Sequence, residues 1–404
     1  MPSDRTTVTE LGTGLGMLGL SDVDEAVRSH TPVMHSLSPE MWGRLAGLRA
    51  GGAYDAEFHA AWANGHAFLA AGDGLRGRLP RVVEWKGTGR APGDEVAPID
   101  LRVDHVYLVS CKYLSNILFN VSPPHVFDHL LVAGPSRASR VAREVLPGGR
   151  DWYAEVAPAE YQALYETVRV AAIRGDGAGP APAPLGRRSR LARPDRSPAV
   201  SLPGLGGGDV RTDDAATQNG ARTAPPGVPD PILEELPERA LDLTTQQRDA
   251  LGRWLRPGWP VGAKDLYARL SDAVARASVR RWEAAMDAGG GTGEAMVWRL
   301  LRIGSAPYFV LGSSAARSLR LRIATSWDWR QQYQLLSVAM EPQAGGQPRV
   351  GWEAVVRDRV ANERHEVAGH IEVRWSHGRF GGLPEAKGYL DTPHHLVPGY
   401  YTLR

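Results

Sequence analysis

The chain has 404 residues, 43% of them hydrophobic, and a formal net charge of +2. That length suits two domains of ~100–200 residues each, and near-neutrality excludes a global basic field, so any nucleic-acid surface must be local. A single cysteine, Cys111, excludes an internal disulfide and a cysteine-built zinc site, which fits a reducing cytoplasm.

The amino-terminal stretch MPSDRTTVTELGTGLG is polar. It lacks the basic segment and apolar core of a signal peptide. No apolar run approaches the ~18 residues that span a membrane, so a cytoplasmic protein without membrane contact is expected. LGTGLGMLGL contains Gly-x-Gly but follows no strand. DVDEAVRSH and SPEMWGRLAGLRAG read as helices, the second capped by Ser36 or Ser38. In YDAEFHAAWANGHAFLAAGDG, Phe58, Ala61, Trp62 and Gly65, continued by Phe68 and Leu69, form a helical stripe with Gly65 as its weak point. RVVEWKG, IDLRV and VYLVSCKY then read as strands. LSNILFNV, PPHVFDHLLVAG and PAEYQALYETVRVAAIR read as helices.

Residues 175–231 are rich in Gly, Pro, Ala and Asp without apolar periodicity, the composition of a disordered linker. Its GRRSRLARPDR segment is locally basic and could touch a phosphate backbone. Beyond it, TTQQRDALGRWLR and the segment from Ala263 to Gly291 read as helices. EAMVWRLLRIG, PYFVLG, SLRLRIATSW, QYQLLSVAM, RVGWEAVVRDRV, EVAGHIEVRWSHG and EAKGYLDT read as strands of an antiparallel sheet or barrel. The expected division is therefore 1–174, a linker 175–231, and a helical then β-rich domain 232–404.

Lysine is scarce. Of 47 Lys plus Arg, only Lys86, Lys112, Lys264 and Lys387 are lysines. Where arginine is so favoured, a surviving lysine hints at a need for a compact ammonium. Three of the four recur in one context: Glu84-Trp-Lys86, Ser110-Cys-Lys112 and Glu385-Ala-Lys387.

In PIDLRVDHVYLVSCKY, strand alternation points Asp100, Arg102 and Asp104 one way and Ile99, Leu101 and Val103 the other. An odd-numbered loop would put Asp100 on the face of Ser110 and Lys112; a two-residue loop would not. Phosphodiester hydrolysis wants such a set: carboxylates to hold a hard cation, and a lysine to orient water and stabilise developing charge. One aspartate is a poor metal site, so a second acid is required.

The order helix–strand–strand–strand–helix, with PID and then SCK, resembles the PD-(D/E)xK restriction-endonuclease-like superfamily. VYLVSCKY looks most like its Mrr-type branch. The resemblance covers roughly 54–132. It implies an α/β nuclease-like fold for the first domain; the helices and alternating runs beyond the linker add an α+β, mainly antiparallel second domain. It implies a DNA endonuclease of a bacterial restriction or anti-phage defence type, dependent on Mg²⁺ or Mn²⁺, acting on DNA, with a homodimer or a defence-system protein as partner. Asp100 would be the metal aspartate and Lys112 the catalytic lysine. Ser110 stands where that family carries an acid or an amide. Glu57 or Glu84 would supply the missing carboxylate, in preference to Asp128 beyond the Pro123-Pro124 break. The alternative is an inactive nuclease fold that binds nucleic acid or scaffolds a defence complex.

Other assignments compete. Glu84-Trp-Lys86 could itself be the motif, with Asp73 as its aspartate. Glu385 and Lys387 read as an exposed strand pair. Asn116 and Asn120, four apart, could meet phosphates if helical. Trp298, Trp327, Trp329, Trp352 and Trp375, interleaved with arginines, suit sheet core more than base stacking. His394 and His395, adjacent on an extended segment, would point apart and share no metal.

Overall fold

A computed structural model describes residues 3–87, 99–113, 117–129, 151–176, 230–287, 293–314, 317–343 and 346–404. Most of the expected linker, 177–229, lies outside the described residues, as does Asn116. The fold is mixed α/β, with one mixed sheet and one antiparallel sheet.

The mixed sheet has seven strands. In spatial order they are β1 (Met34–His35), β2 (Val83–Trp85), β3 (Leu101–Val103), β4 (Tyr107–Tyr113), β6 (Tyr308–Ser314), β7 (Arg317–Ile323) and β12 (Tyr400–Thr402). The antiparallel sheet runs β5 (Ile117–Val121), β11 (Pro384–Leu390), β10 (Arg364–Trp375), β9 (Arg349–Asp358) and β8 (Tyr333–Gln343). Each sheet therefore mixes strands from before and after the linker. β4 pairs in parallel with β6, and β5 pairs with β11. The expected partition at 175–231 does not separate the sheets, because the hydrogen-bonding edges of β4 and β5 are completed only by strands far along the chain.

One face of the mixed sheet is apolar. Val83, Trp85, Leu101, Val103, Val109 and Cys111 pack under α1 (Asp4–Gly16) and α4 (Asp55–Ala70). The polar-looking amino terminus is thus a buried helix, capped by the Ser3 hydroxyl on the Thr6 N–H. Its glycines let the two helices touch: a Cβ at Gly16 would lie 2.3 Å from the Trp62 carbonyl, and one at Gly65 would lie 2.0 Å from that of Thr13. Gly65 costs helix propensity but permits this crossing. α2 (Val23–Ser29) and α3 (Pro39–Ala50) flank the layer, and Ser38 caps α3.

The second core lies between the sheets and the remaining helices. Val350, Trp352, Ala354, Ile371 and Val373 face it, with α9 (Ala263–Asp287) packed across. α5 (Trp152–Val156), α6 (Pro158–Arg174), α7 (Pro231–Glu234) and α8 (Thr245–Trp254) complete that layer.

Two segments adopt the opposite structure to that expected. EAMVWRLLRIG forms α10 (Gly293–Leu300), with Met296, Val297 and Leu300 buried at helical spacing. A short apolar run cannot be assigned by periodicity alone. LSNILFNV yields β5, so Asn120 sits on a strand and the helical Asn116–Asn120 pairing does not apply. α11 (Ser326–Gln332) separates β7 from β8.

Candidate functional site

Asp100 sits at the head of β3, at the centre of a polar group. A three-residue turn, Asp104 to Val106, joins β3 to β4. The odd count sets the register Leu101↔Val109, and at the end of that ladder the Asp100 side chain reaches Ser110. On the other side, Trp85↔Leu101 places Lys86 directly across from Asp100. The Lys86 N–H donates to the Asp100 carbonyl at 3.0 Å, and the Asp100 N–H donates to the carbonyl of Val109, the partner of Leu101, at 2.9 Å. Lys86, Asp100 and Ser110 thus form one row across three strands, on the face opposite α1 and α4. Glu84, across from Arg102, occupies the diagonal corner beside Asp100, and Lys112 lies two residues beyond Ser110 on β4.

The row is held by hydrogen bonds. Asp100 Oδ2 accepts from the Ser110 hydroxyl at 3.1 Å and the Cys111 N–H at 2.6 Å. Lys86 Nζ lies 3.0 Å from Glu84 Oε1, with its side chain only 6% exposed. Behind Ser110, and bonded to it, is the buried Tyr308 hydroxyl. Burial pushes that phenol up to about 12, with the Asp100 carboxylate adding to the effect. Ser110 is itself fully buried. Where the resemblance has an acid, this chain has a hydroxyl that orients one.

Glu57 does not join the row. It lies on α4, in the layer over the other face of the sheet, with Arg5 Nε at 3.0 Å. Asp128 pairs with Arg281 of α9 at 3.1 Å. Asp73 faces Arg322 of β7 at 3.5 Å, four strands from β2, so the combination Asp73–Glu84–Lys86 is not assembled. Lys112, two residues beyond Ser110, is half-buried beside Gly312.

The structure crosses the two motifs. The aspartate of one, Asp100, meets the Glu-x-Lys of the other, Glu84 and Lys86. The helix layer also carries an acid nearer this row than Glu57. Glu10 of α1 is buried and accepts from Trp85 Nε1 at 2.6 Å. Burial, then the Asp100 and Glu10 carboxylates, push the Cys111 thiol well above its ordinary range. The signal that could have found Glu10 was the Ser3 cap, which marks the helix start.

The second sheet repeats the arrangement. Lys387 pairs across from Glu372, and Glu385 across from Arg374, just as Lys86 faces Asp100 and Glu84 faces Arg102. Lys387 Nζ is 3.9 Å from Glu385 Oε2. Beside it, the His370 ring stacks on Tyr389 at 4.9 Å, its Nδ1 is 2.9 Å from Asp391, and Glu372 is ion-paired to Arg349. His394 and His395 form a short helical turn rather than an extended segment, and burial lowers His394. Trp329, Trp352 and Trp375 are core residues, whereas Trp327 is 70% exposed.

Among the described residues, no group of three or more His, Cys, Asp or Glu side chains could hold a metal ion. Mg²⁺ is commonly bound through one or two carboxylates plus ligand phosphates and water. Asp100 and Glu84, on one face, fit that sparse donor set but make no closed cage. No helix among the described residues is long and apolar enough to cross a membrane. Comparison with known proteins finds no matching family model, no matching curated protein and no matching solved structure.

Proposed function

We propose that the chain is a metal-dependent phosphodiester hydrolase acting on DNA, with its site on the row Lys86–Asp100–Ser110. The observation that supports this most is the Asp100 carboxylate, held by two donors and facing Lys86, with Glu84 at its corner. Asp100 and Glu84 would hold a Mg²⁺ or Mn²⁺ ion together with substrate phosphate oxygens. A divalent cation supplies a water of lowered pKa and offsets charge at the phosphorus. Lys86 would orient the attacking water and stabilise developing charge. Ser110, bonded to Tyr308, positions the Asp100 carboxylate. A restriction or anti-phage defence setting, and a homodimer or defence-system partner, follow from the family resemblance alone.

A second reading is a nuclease-like fold that binds nucleic acid without cutting it. The recurrence of the Glu-x-Lys quartet on the second sheet favours it, since cross-strand charge pairing stabilises any exposed ladder.

Cleavage of plasmid DNA by the purified full chain, with Mg²⁺ or Mn²⁺, separates the two. Cutting that disappears in Asp100→Asn and Lys86→Met, with circular dichroism unchanged, supports the hydrolase. Binding without cutting under either metal supports the second reading.

A further inference from the structure

The second sheet carries a set of titratable side chains that the row at Asp100 does not use. On the face turned away from α9, Arg349, Glu372 and Lys387 are direct neighbours across β9, β10 and β11. Two residues along, His370 of β10 faces Tyr389 of β11. Asp391, just past β11, lies 2.9 Å from His370 Nδ1. The other ring nitrogen, Nε2, stands 4.0 Å from Glu372 Oε1. Glu372 is ion-paired to Arg349, and the Tyr389 hydroxyl is hydrogen-bonded to the same carboxylate. Glu353, Glu366 and Asn120, on this face, are exposed, so the cluster borders solvent.

Charge pairing alone accounts for Glu372 between Arg349 and Lys387. It does not account for His370. Asp391 holds one ring nitrogen, which leaves Nε2 as the one that gives or takes a proton. Stacking on Tyr389 at 4.9 Å fixes the ring plane. The set is then a carboxylate that accepts a proton, an imidazole that gives one, and two cations close by. Two-metal sites that serve the attacking and leaving oxygens of a displacement at phosphorus hold their ions ~3.5–4 Å apart. Glu372 Oε1 and His370 Nε2 span the same interval. The Arg349 Nε–H is buried without an acceptor among the described residues, a donor that a phosphate oxygen would satisfy.

We propose that this face cleaves single-stranded RNA without a metal ion, using the ribose 2′-hydroxyl as nucleophile. Glu372 takes the proton of the 2′-hydroxyl. The 2′-oxygen forms its bond to phosphorus as the bond from phosphorus to the 5′-oxygen breaks. The 5′-oxygen leaves with the proton of His370 Nε2. The products are a 2′,3′-cyclic phosphate and a 5′-hydroxyl, and proton exchange with water resets the pair. Arg349 and Lys387 offset the charge that gathers on the non-bridging oxygens. Glu372 and His370 are the catalytic residues, and Asp391 is a positioning residue. DNA lacks the 2′-hydroxyl and is no substrate for this face. The activity is separate from the site at Asp100 and does not rest on it.

The test is cleavage of a labelled single-stranded RNA by the purified full chain in excess EDTA, with products identified by mass spectrometry. A DNA strand of the same sequence containing one ribonucleotide is the second substrate. The RNA fragments should end in 2′,3′-cyclic phosphates, and the mixed strand should be cut only 3′ of its ribose. Glu372→Gln and His370→Asn should each lower kcat by roughly 10²–10⁴-fold with circular dichroism unchanged. Asp391→Asn should lower kcat at unchanged KM, and Asp391→Glu should recover part of it.

RNA left intact in EDTA overturns the proposal. So does cutting that persists in both His370→Asn and Glu372→Gln, or cutting of the mixed strand away from its ribose. RNA cutting that needs Mg²⁺ and disappears in Asp100→Asn overturns it too, by assigning the RNA to the first sheet. The mixed strand decides the point on wild-type protein alone, whatever the substitutions do to stability.

Discussion

Lys86 and Asp100 are direct cross-strand neighbours, joined through the backbone by a 3.0 Å hydrogen bond. Their side chains share a face, and Glu84 holds the lysine from two residues back. If these groups act as a unit, removing one should remove most of what removing both does. Lys86→Met and Asp100→Asn are expected to lose cleavage to the same level, and the double variant to fall no further. Rates measured on one plasmid substrate check this. Additive losses would show that the two act separately.

Ser110 donates one of the hydrogen bonds that hold the Asp100 carboxylate. A hydrogen bond to a charged group contributes roughly 1.5–3 kcal/mol. Ser110→Ala should therefore lower kcat by about ten- to a hundred-fold while Asp100 keeps its Cys111 N–H bond. Ser110→Thr keeps the hydroxyl and should recover part of the loss. Unchanged kcat in Ser110→Ala would show that the carboxylate needs no such positioning.

Arg248 of α8 and Asp151 form a buried ion pair at 2.9 Å, their side chains 8% and 4% exposed. The Tyr161 hydroxyl donates to the same carboxylate oxygen at 3.1 Å, and burial pushes that phenol well up. Breaking one partner of such a pair strands the other charge, at a cost of roughly 3–5 kcal/mol. Arg248→Met alone should lower the denaturation midpoint sharply. The double change Arg248→Met with Asp151→Leu should recover much of it. Urea titrations of both decide the point.

Asp104 anchors the β3–β4 turn from a left-handed position, φ 49°. It accepts from the Arg81 and Val82 N–H groups at 2.7 and 3.2 Å and pairs with Arg78 at 2.7 Å. Burial pushes its pKa up, but Arg78 and those two donors outweigh it, and the net direction is down. A depressed folded pKa means the stabilisation is complete above the ordinary aspartate value near ~3.9 and is lost as pH falls through the lower folded value. The gap in thermal stability between wild type and Asp104→Asn should hold from neutrality to about pH 5 and narrow as the pH falls below about 4. A gap that stays constant from neutrality down to about pH 3 would contradict this.

Local grammar made much of the first sheet legible. Alternation and loop parity placed Asp100 and Ser110 on one face, and the turn at Asp104–Val106 obeyed the parity. A stripe of apolar residues identified α4, and the segments of α8 and α9 also read as helices. The unread parts depend on contacts distant in sequence. Nothing near Ile117 says that its strand will pair with β11, so β5 passed for a helix. Nothing near Glu84 says that its lysine will face Asp100 rather than an aspartate of its own. α1 went unread because its glycines depress helix propensity, although they serve the contact with Gly65. Among the candidate residues, Asp100 and Glu84 share a face, whereas Glu57 turned inward to Arg5.

The pairing of β4 with β6 bears on how the chain reaches its native state. Val109 of β4 lies opposite Phe309 of β6, about 200 residues later, and contacts so remote slow folding because the loop must close before they repay it. A ribosome adding about 5–20 residues per second would leave the edge of β4 without its partner for roughly 10–40 seconds. That edge is an open template for the wrong strand. Yield in a cell should therefore depend on chaperones that shield β4 until β6 emerges, and refolding from urea should be slow and concentration-sensitive.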